Sequence, residues 1–172
     1  LGRLVAETGY AVVIQECRGR HASEGRFAPF VHEADDGGDA IAWIARQKWF
    51  AGQLAVIGWG YSGFAAWAAL SRSTLPIAAL VSVFAARDPH AWLHPGGALA
   101  LELALRWGVG IGDRESCDPR RLDLERGLGH RPLREADRVT RRRVDWFREW
   151  IDHPTRDAYW DARIPALPEA PP

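Results

Sequence analysis

A parallel α/β sheet with crossover helices, continued by an all-helical stretch, is the fold class this sequence predicts. Three observations carry it. Residues 10–15, 54–57 and 77–83 are short, continuous apolar runs rich in β-branched side chains, the pattern of strands buried on both faces. Helix-like runs lie between them, so strand and helix alternate, which implies about three parallel strands with right-handed crossovers. Past Ala86 no further strand pattern appears and helical patterns take over.

Taken in order, residues 1–8 place Leu1, Leu4 and Val5 on one side of what reads as the end of a helix, stopped by Gly9. Residues 10–15 are the first strand. The polar, glycine-bounded loop over 18–25 falls at its C-terminal end, where open α/β sheets present their ligand crevices. Asp35, Asp36 and Asp39 precede a helix over 40–45; acidic groups there complement the helix dipole, and Ile41, Ile44 and Ala45 supply its buried face. The second strand, 54–57, runs into glycines and then a small-residue helix over 64–70. The third, 77–83, follows Pro76. A helix over 98–109, a polar loop over 113–132 and a long helix over 134–151 complete the pattern. The long helix has Val139, Val144, Trp146, Phe147 and Trp150 on its apolar side. Its Arg138, Arg141, Arg142 and Arg143 are expected on a solvated face, with Glu135, Asp137 and Asp145 among them. The chain thus divides into a sheet-bearing part over 1–86, a helical part over 87–160 and a proline-rich tail over 161–172.

The 172 residues are one domain's worth, and nine tryptophans within a 47% hydrophobic composition favour a packed aromatic core over disorder. Lys+Arg and Asp+Glu number 22 each, and neither side of Ala86 carries an excess of one sign, which disfavours a nucleic-acid partner. No apolar run is long enough to span a bilayer. Cys17 and Cys117 make neither a disulfide framework nor a zinc site; a small buried thiol and an incidental loop thiol are expected. The histidines show no metal-ligand spacing. His90 and His94 are four apart, but Pro89 and Pro95 argue against a regular helix there. No cofactor is called for. The chain opens inside a helical pattern, contains no methionine and closes on prolines, so it reads as a piece of a longer protein. The absence of a leader therefore says nothing of location.

The stretch from Val56 to Phe64 concentrates the chemistry. An apolar run ends in Gly58 and Gly60 and passes at once into Tyr61-Ser62-Gly63-Phe64: a strand, a sharp turn and a helix. This is the geometry of a nucleophile elbow, in which a strained turn holds a side chain above a helix N-terminus whose N–H groups stabilise a developing oxyanion. The residue at the tip is Gly60, which has no side chain. Ser62 is the nearby alternative, yet Gly60-Tyr61-Ser62-Gly63-Phe64 fails G-x-S-x-G because Phe64 holds the last glycine position. Ser62 falls in the helix's first turn, where capping backbone N–H groups is the expected role.

Several segments, in order, resemble the Xaa-Pro dipeptidyl-peptidase and cocaine-esterase family of α/β-hydrolases. They are residues 10–19 with Ser23-Glu24-Gly25, then Glu33, Asp36, Gly37 and Asp39 before Trp43, then Trp49 and Gly52. Gly58-x-x-Tyr61-x-Gly63 resembles that family's G-x-S-Y-x-G elbow. Pro95-Gly96-Gly97-Ala98 resembles its cap entry, and His153-Pro154-x-x-Asp157-x-Tyr159-Trp160 its H-P-x-x-D-x-x-W segment. The resemblance implies serine hydrolases of esters, amides or N-terminal dipeptides ending in proline, with an α/β-hydrolase core, a helical cap and a C-terminal β-sandwich. In them a serine attacks, a histidine takes its proton and an aspartate orients the histidine. The oxyanion is held by the N–H of the residue after the serine and by an upstream tyrosine.

On that resemblance the chain holds the middle of the core and part of the cap, without the first strands, the last strands or the sandwich. Gly60 occupies the nucleophile slot, and Tyr61 supplies the backbone oxyanion donor. The second donor would precede Leu1, and the aspartate and histidine would follow Pro172. Glu16 stands in place of the family's aspartate as a carboxylate partner for Arg18. The expected ligand is a small ester or peptide, and the expected state is an inactive one; the alternative is a non-catalytic binding module using the remnant pocket. Trp59, Arg18 and His21 are the binding candidates. Each has a plainer role: Trp59 fills volume, Arg18 braces its loop together with Glu24, and His21, a general base only if a nucleophile were present, packs its loop. The family sheet also places an earlier strand between 11–15 and 54–57. Without it both edges lack a partner, and poor folding or self-association through unpaired strand edges is expected.

Overall fold

In the computed structural model, which describes residues 2–166, the sheet consists of β1 (Ala55–Trp59) and β2 (Ala79–Val83), joined by α3 (Tyr61–Ser71). The strands pair in parallel from Ala55 opposite Ala79 to Trp59 opposite Val83. Ahead of them lie α1 (Gly2–Ala6) and α2 (Glu33–Ala45). The acidic residues expected before the second helix lie inside it: Glu33, Asp35 and Asp36 form its first turn, where they face the positive end of the dipole. Its Ile41 and Ile44 are buried as expected, and Gly37 lets α2 touch α3, since a Cβ there would collide with Ala69. Ile41, Ala69, Leu70 and Ile77 form the small core between these helices and one face of the sheet.

The strand expected over 10–15 is not one. The segment makes no ladder, and Tyr10 and Ile14 are 70% and 78% exposed. A β-rich sequence becomes a strand only where a neighbour takes its backbone groups. Here β1 pairs with β2 on one edge and, among the described residues, with nothing on the other. About three expected strands therefore become two.

The helical part is more broken than its sequence pattern. It comprises α4 (Pro89–Leu93), α5 (Leu101–Leu103) continuing as the π-helix Ala104–Val109, α6 (Leu124–Gly129), α7 (Ala136–Thr140), α8 (Asp145–Asp152) and α9 (Ala158–Asp161). His90 and His94 do sit at a short helix, because Asp88 caps it and Pro89 takes the first position, where a missing N–H is harmless. Their rings stack at 4.8 Å. The polar loop over 113–132 contains α6 and the 3-10 turn Pro119–Arg121. The long helix expected over 134–151 is interrupted between α7 and α8. The cause is Asp137, fully buried, whose carboxylate accepts from the Val144 amide at 2.8 Å and from Arg148 Nε at 3.0 Å. Drawing Val144 N–H to a side chain diverts it from the helical ladder. The arginines there are not simply solvated either: Arg141 and Arg142 both pair with Asp113, and Arg143 with Asp145.

A second, larger core unites both parts of the chain. Phe30, Phe64 and Ala68 from the sheet-bearing part pack with Leu105, Phe147, Trp150 and Trp160 from the helical part. Trp107 stacks on Trp150 with ring centroids 5.7 Å apart. The tail expected over 161–172 begins inside α9, and its residues 167–172 lie outside the described residues.

Candidate functional site

The turn from β1 into α3 is built by its glycines. A Cβ on Gly58 would collide with the Ser62 carbonyl, and one on Gly63 would crowd Ala85 and Ser82, so strand and helix approach only because both are glycine. Gly60 sits between them with φ 52° and ψ −122°, a conformation L-residues rarely adopt. Its amide donates to Val83 O at 2.8 Å, which pins the tip to the end of β2. Its carbonyl accepts from the Gly63 and Phe64 amides, starting α3. Among the described residues the Tyr61 and Ser62 amides find no backbone acceptor, which leaves N–H groups at the helix start beside the tip. A Cβ on Gly60 would meet nothing within 4 Å. The strained tip and the close glycines give the strand, sharp turn and helix of an elbow-like turn, with Gly60 at its tip.

Ser62 lies in the first turn of α3, as expected, but does not cap it. Its side chain is exposed, and no described group shares a hydrogen bond with its hydroxyl. The Tyr61 ring turns inward, against Phe30, Phe64 and Trp107. Its O–H donates to Glu33 Oε1 and accepts from the Phe30 amide at 2.9 Å. Glu33 is 8% exposed, and burial pushes its carboxyl above the usual range against the opposing effect of the Tyr61 hydrogen bond. Burial, then the adjacent Glu33, likewise holds Tyr61 as the neutral phenol. Cys17 belongs to the same patch; burial and Glu33 push its thiol up to about 11, which makes it an unreactive thiol at neutral pH. Sequence reasoning noted Glu33 only within the resemblance; that its carboxylate would anchor the residue after the elbow had no local signal.

The three binding candidates have separate surroundings. Trp59 is 49% exposed at the end of β1, so it does not fill interior volume. Arg18 pairs with Asp36 of α2, its Nε 3.1 Å from Oδ2; Glu16 is not its partner, since Glu16 Oε2 accepts from the Ala22 amide at 3.0 Å. Glu24 contributes to the loop through its carbonyl, which accepts from the Gly19 amide. His21 is exposed, and its backbone is clamped by Arg114, whose carbonyl takes the His21 amide and whose guanidinium donates back to His21 O and Ser23 O. Arg20 was missed: it is buried and ties the loop to the helical part through Ile111 O, Asp113 O and Ser116 Oγ. A charged residue in a polar loop gave no sign of burial. The His153 segment is structural. His153 Nδ1 lies 2.6 Å from Asp157, Asp157 caps α9, and the buried Trp160 donates to His153 O. Among the described residues no group of three or more metal-ligating side chains comes together, and no helix is long and apolar enough to cross a membrane.

A parallel strand, a glycine-built elbow and a crossover helix, with helices packed across them, define part of an α/β-hydrolase core. The family profile of X-Pro dipeptidyl-peptidase (S15 family) matches residues 2–167, and the chain belongs to that family. It is 32% identical over 173 residues to cocaine esterase of Rhodococcus sp. (strain MB1 Bresler), a match covering 90% of this chain and 30% of that protein. An aminopeptidase from the marine sediment archaeon Thaumarchaeota archaeon has the same fold with a TM-score of 0.64 at 19% identity, over 86% of this chain and 27% of that one. The chain thus spans under a third of the length of the relatives it matches.

Proposed function

We propose that this chain carries the elbow of a serine-hydrolase site for esters, amides or Xaa-Pro peptides, and that as it stands it performs no hydrolysis. Gly60 carries the reading. It has the backbone conformation of the strained tip and open space where a side chain would stand, but no hydroxyl to attack a carbonyl. The free Tyr61 amide supports the oxyanion half of such a site, whose stabilisation of charge does not depend on the nucleophile. Losing one member of a catalytic triad lowers turnover by several orders of magnitude, leaving only what binding and the oxyanion donors supply.

The test is labelling by a fluorophosphonate probe, which reacts with an activated serine. The native chain and Ser62→Ala are expected to remain equally unlabelled. Labelling of the native chain that Ser62→Ala abolishes would overturn the reading and make Ser62 the nucleophile. The non-catalytic binding module has no observation in its favour of comparable weight: Arg18 is engaged by Asp36, and the Tyr61 ring turns inward against Phe30, Phe64 and Trp107. Self-association through the unpaired edge of β1 belongs to the same proposal.

A further inference from the structure

The loop over 19–27 and the helical part line a cleft of about 350 Å³ with an excess of positive charge. That volume lies within the ~300–1,000 Å³ of small-molecule sites. Four arginines line it (Arg26, Arg114, Arg142 and Arg143) against two carboxylates, Asp113 and Asp145. The carboxylates are shared: Arg26 and Arg143 both contact Asp145, while Arg141 and Arg142 both contact Asp113. Each guanidinium has five N–H donors, so this sharing leaves most of them available. Among the described residues Arg26 donates through one nitrogen, Nη2 at 3.2 Å, and Arg143 through one, Nε at 3.1 Å. Two arginines are thus held near a single carboxylate with donors left for another oxyanion.

The walls are braced for the task. Arg20 joins the loop to residues 111–116, and Arg114 joins the reverse way to His21 O and Ser23 O. Phe27 and Trp146 line the same cleft, their rings edge to face at 5.8 Å. Two planar cations that share one carboxylate at the cleft's rim, their side chains 83% and 67% exposed, beside aromatic edges suit an oxyanion carried on a compact or planar body.

We infer that this cleft is a binding site for a small oxyanion, the carboxylate or phosphate group of an anionic small molecule, and that Arg26 and Arg143 are its principal donors. The inference is independent of what occupies the nucleophile slot. Isothermal titration calorimetry of the 172-residue chain at low ionic strength tests it, with inorganic phosphate in one arm and benzoate in the other. Saturable binding is expected in at least one arm, and the arm that binds identifies phosphate or carboxylate as the partner chemistry. Arg143→Ala should weaken it roughly tenfold or more, the effect of losing a charge-assisted hydrogen bond. Asp145→Asn should strengthen it by removing a competing carboxylate, a gain that unfolding cannot produce. Arg134→Ala, which breaks a pair with Asp152 elsewhere, should leave it unchanged. Absence of saturable binding in both arms overturns the inference, as does binding that is indifferent to Arg143 and Asp145 or falls equally with Arg134.

Discussion

A Cβ at Gly58 would run into the Ser62 carbonyl, whereas a Cβ at Gly60 would meet nothing within 4 Å. The first glycine answers a steric demand, the second only a backbone one. Alanine at Gly58 must push α3 away from β1, an overpacking effect of about 3 kcal/mol. Alanine at Gly60 has room but inherits φ 52°, which disfavours an L-residue by about 1–2 kcal/mol. Urea unfolding of the two variants should therefore rank Gly58→Ala well below Gly60→Ala in stability; equal losses, or the reverse order, would mean the turn does not have this shape. Gly60 is thus the glycine of the turn that leaves room for a side chain, which is the condition the proposed nucleophile slot requires.

At the scale of elements, Asp137 decides where the helical part bends. Its carboxylate takes the Arg138 and Val144 amides and two nitrogens of Arg148, which is itself only 9% exposed. Asp137→Ala leaves that guanidinium buried beside unpaired amides, and a loss of about 3–5 kcal/mol is expected in the same unfolding measurement. Arg134→Ala, removing an exposed pair with Asp152, should cost under about 1 kcal/mol. The contrast also explains what could be read beforehand. β1, α3 and β2 were legible because apolar periodicity and glycine spacing act locally, and the elbow register followed from Gly58 and Gly63. The break between α7 and α8 was not, because Asp137 looks like any acidic residue on a helix until Arg148 folds back onto it. Segment 10–15 misled for the opposite reason: its β-branched residues state a propensity, but pairing needs a neighbour. Arg20 and Glu33 were hidden likewise, since burial of a charge depends on partners 28 to 96 residues away.

For the whole molecule, the two faces of the sheet are unequally covered. Val56 and Leu80 point to the helices and pack against the core of Ile41 and Leu70, while side chains of the alternate register face outward. Ile57, Trp59 and Val81 are 44–49% exposed, and Phe84 just beyond β2 is 96% exposed. Among the described residues the other edge of β1 is also without a partner strand, and the apolar segment 10–15 joins no ladder. Exposed strand edges next to apolar surface are templates for pairing with another chain. The predicted consequence is association of the chain with itself, its extent rising with concentration. Size-exclusion chromatography with light scattering over a range of concentrations should show a mass above that of one chain, returning toward it on dilution. Ile57→Lys places a charge in the centre of the outer face without touching the buried face, and should shift the equilibrium toward single chains. A single-chain mass at every concentration, together with a sharp cooperative melt, would show that the edge and face are satisfied within one molecule and that the two-stranded sheet is sufficient by itself.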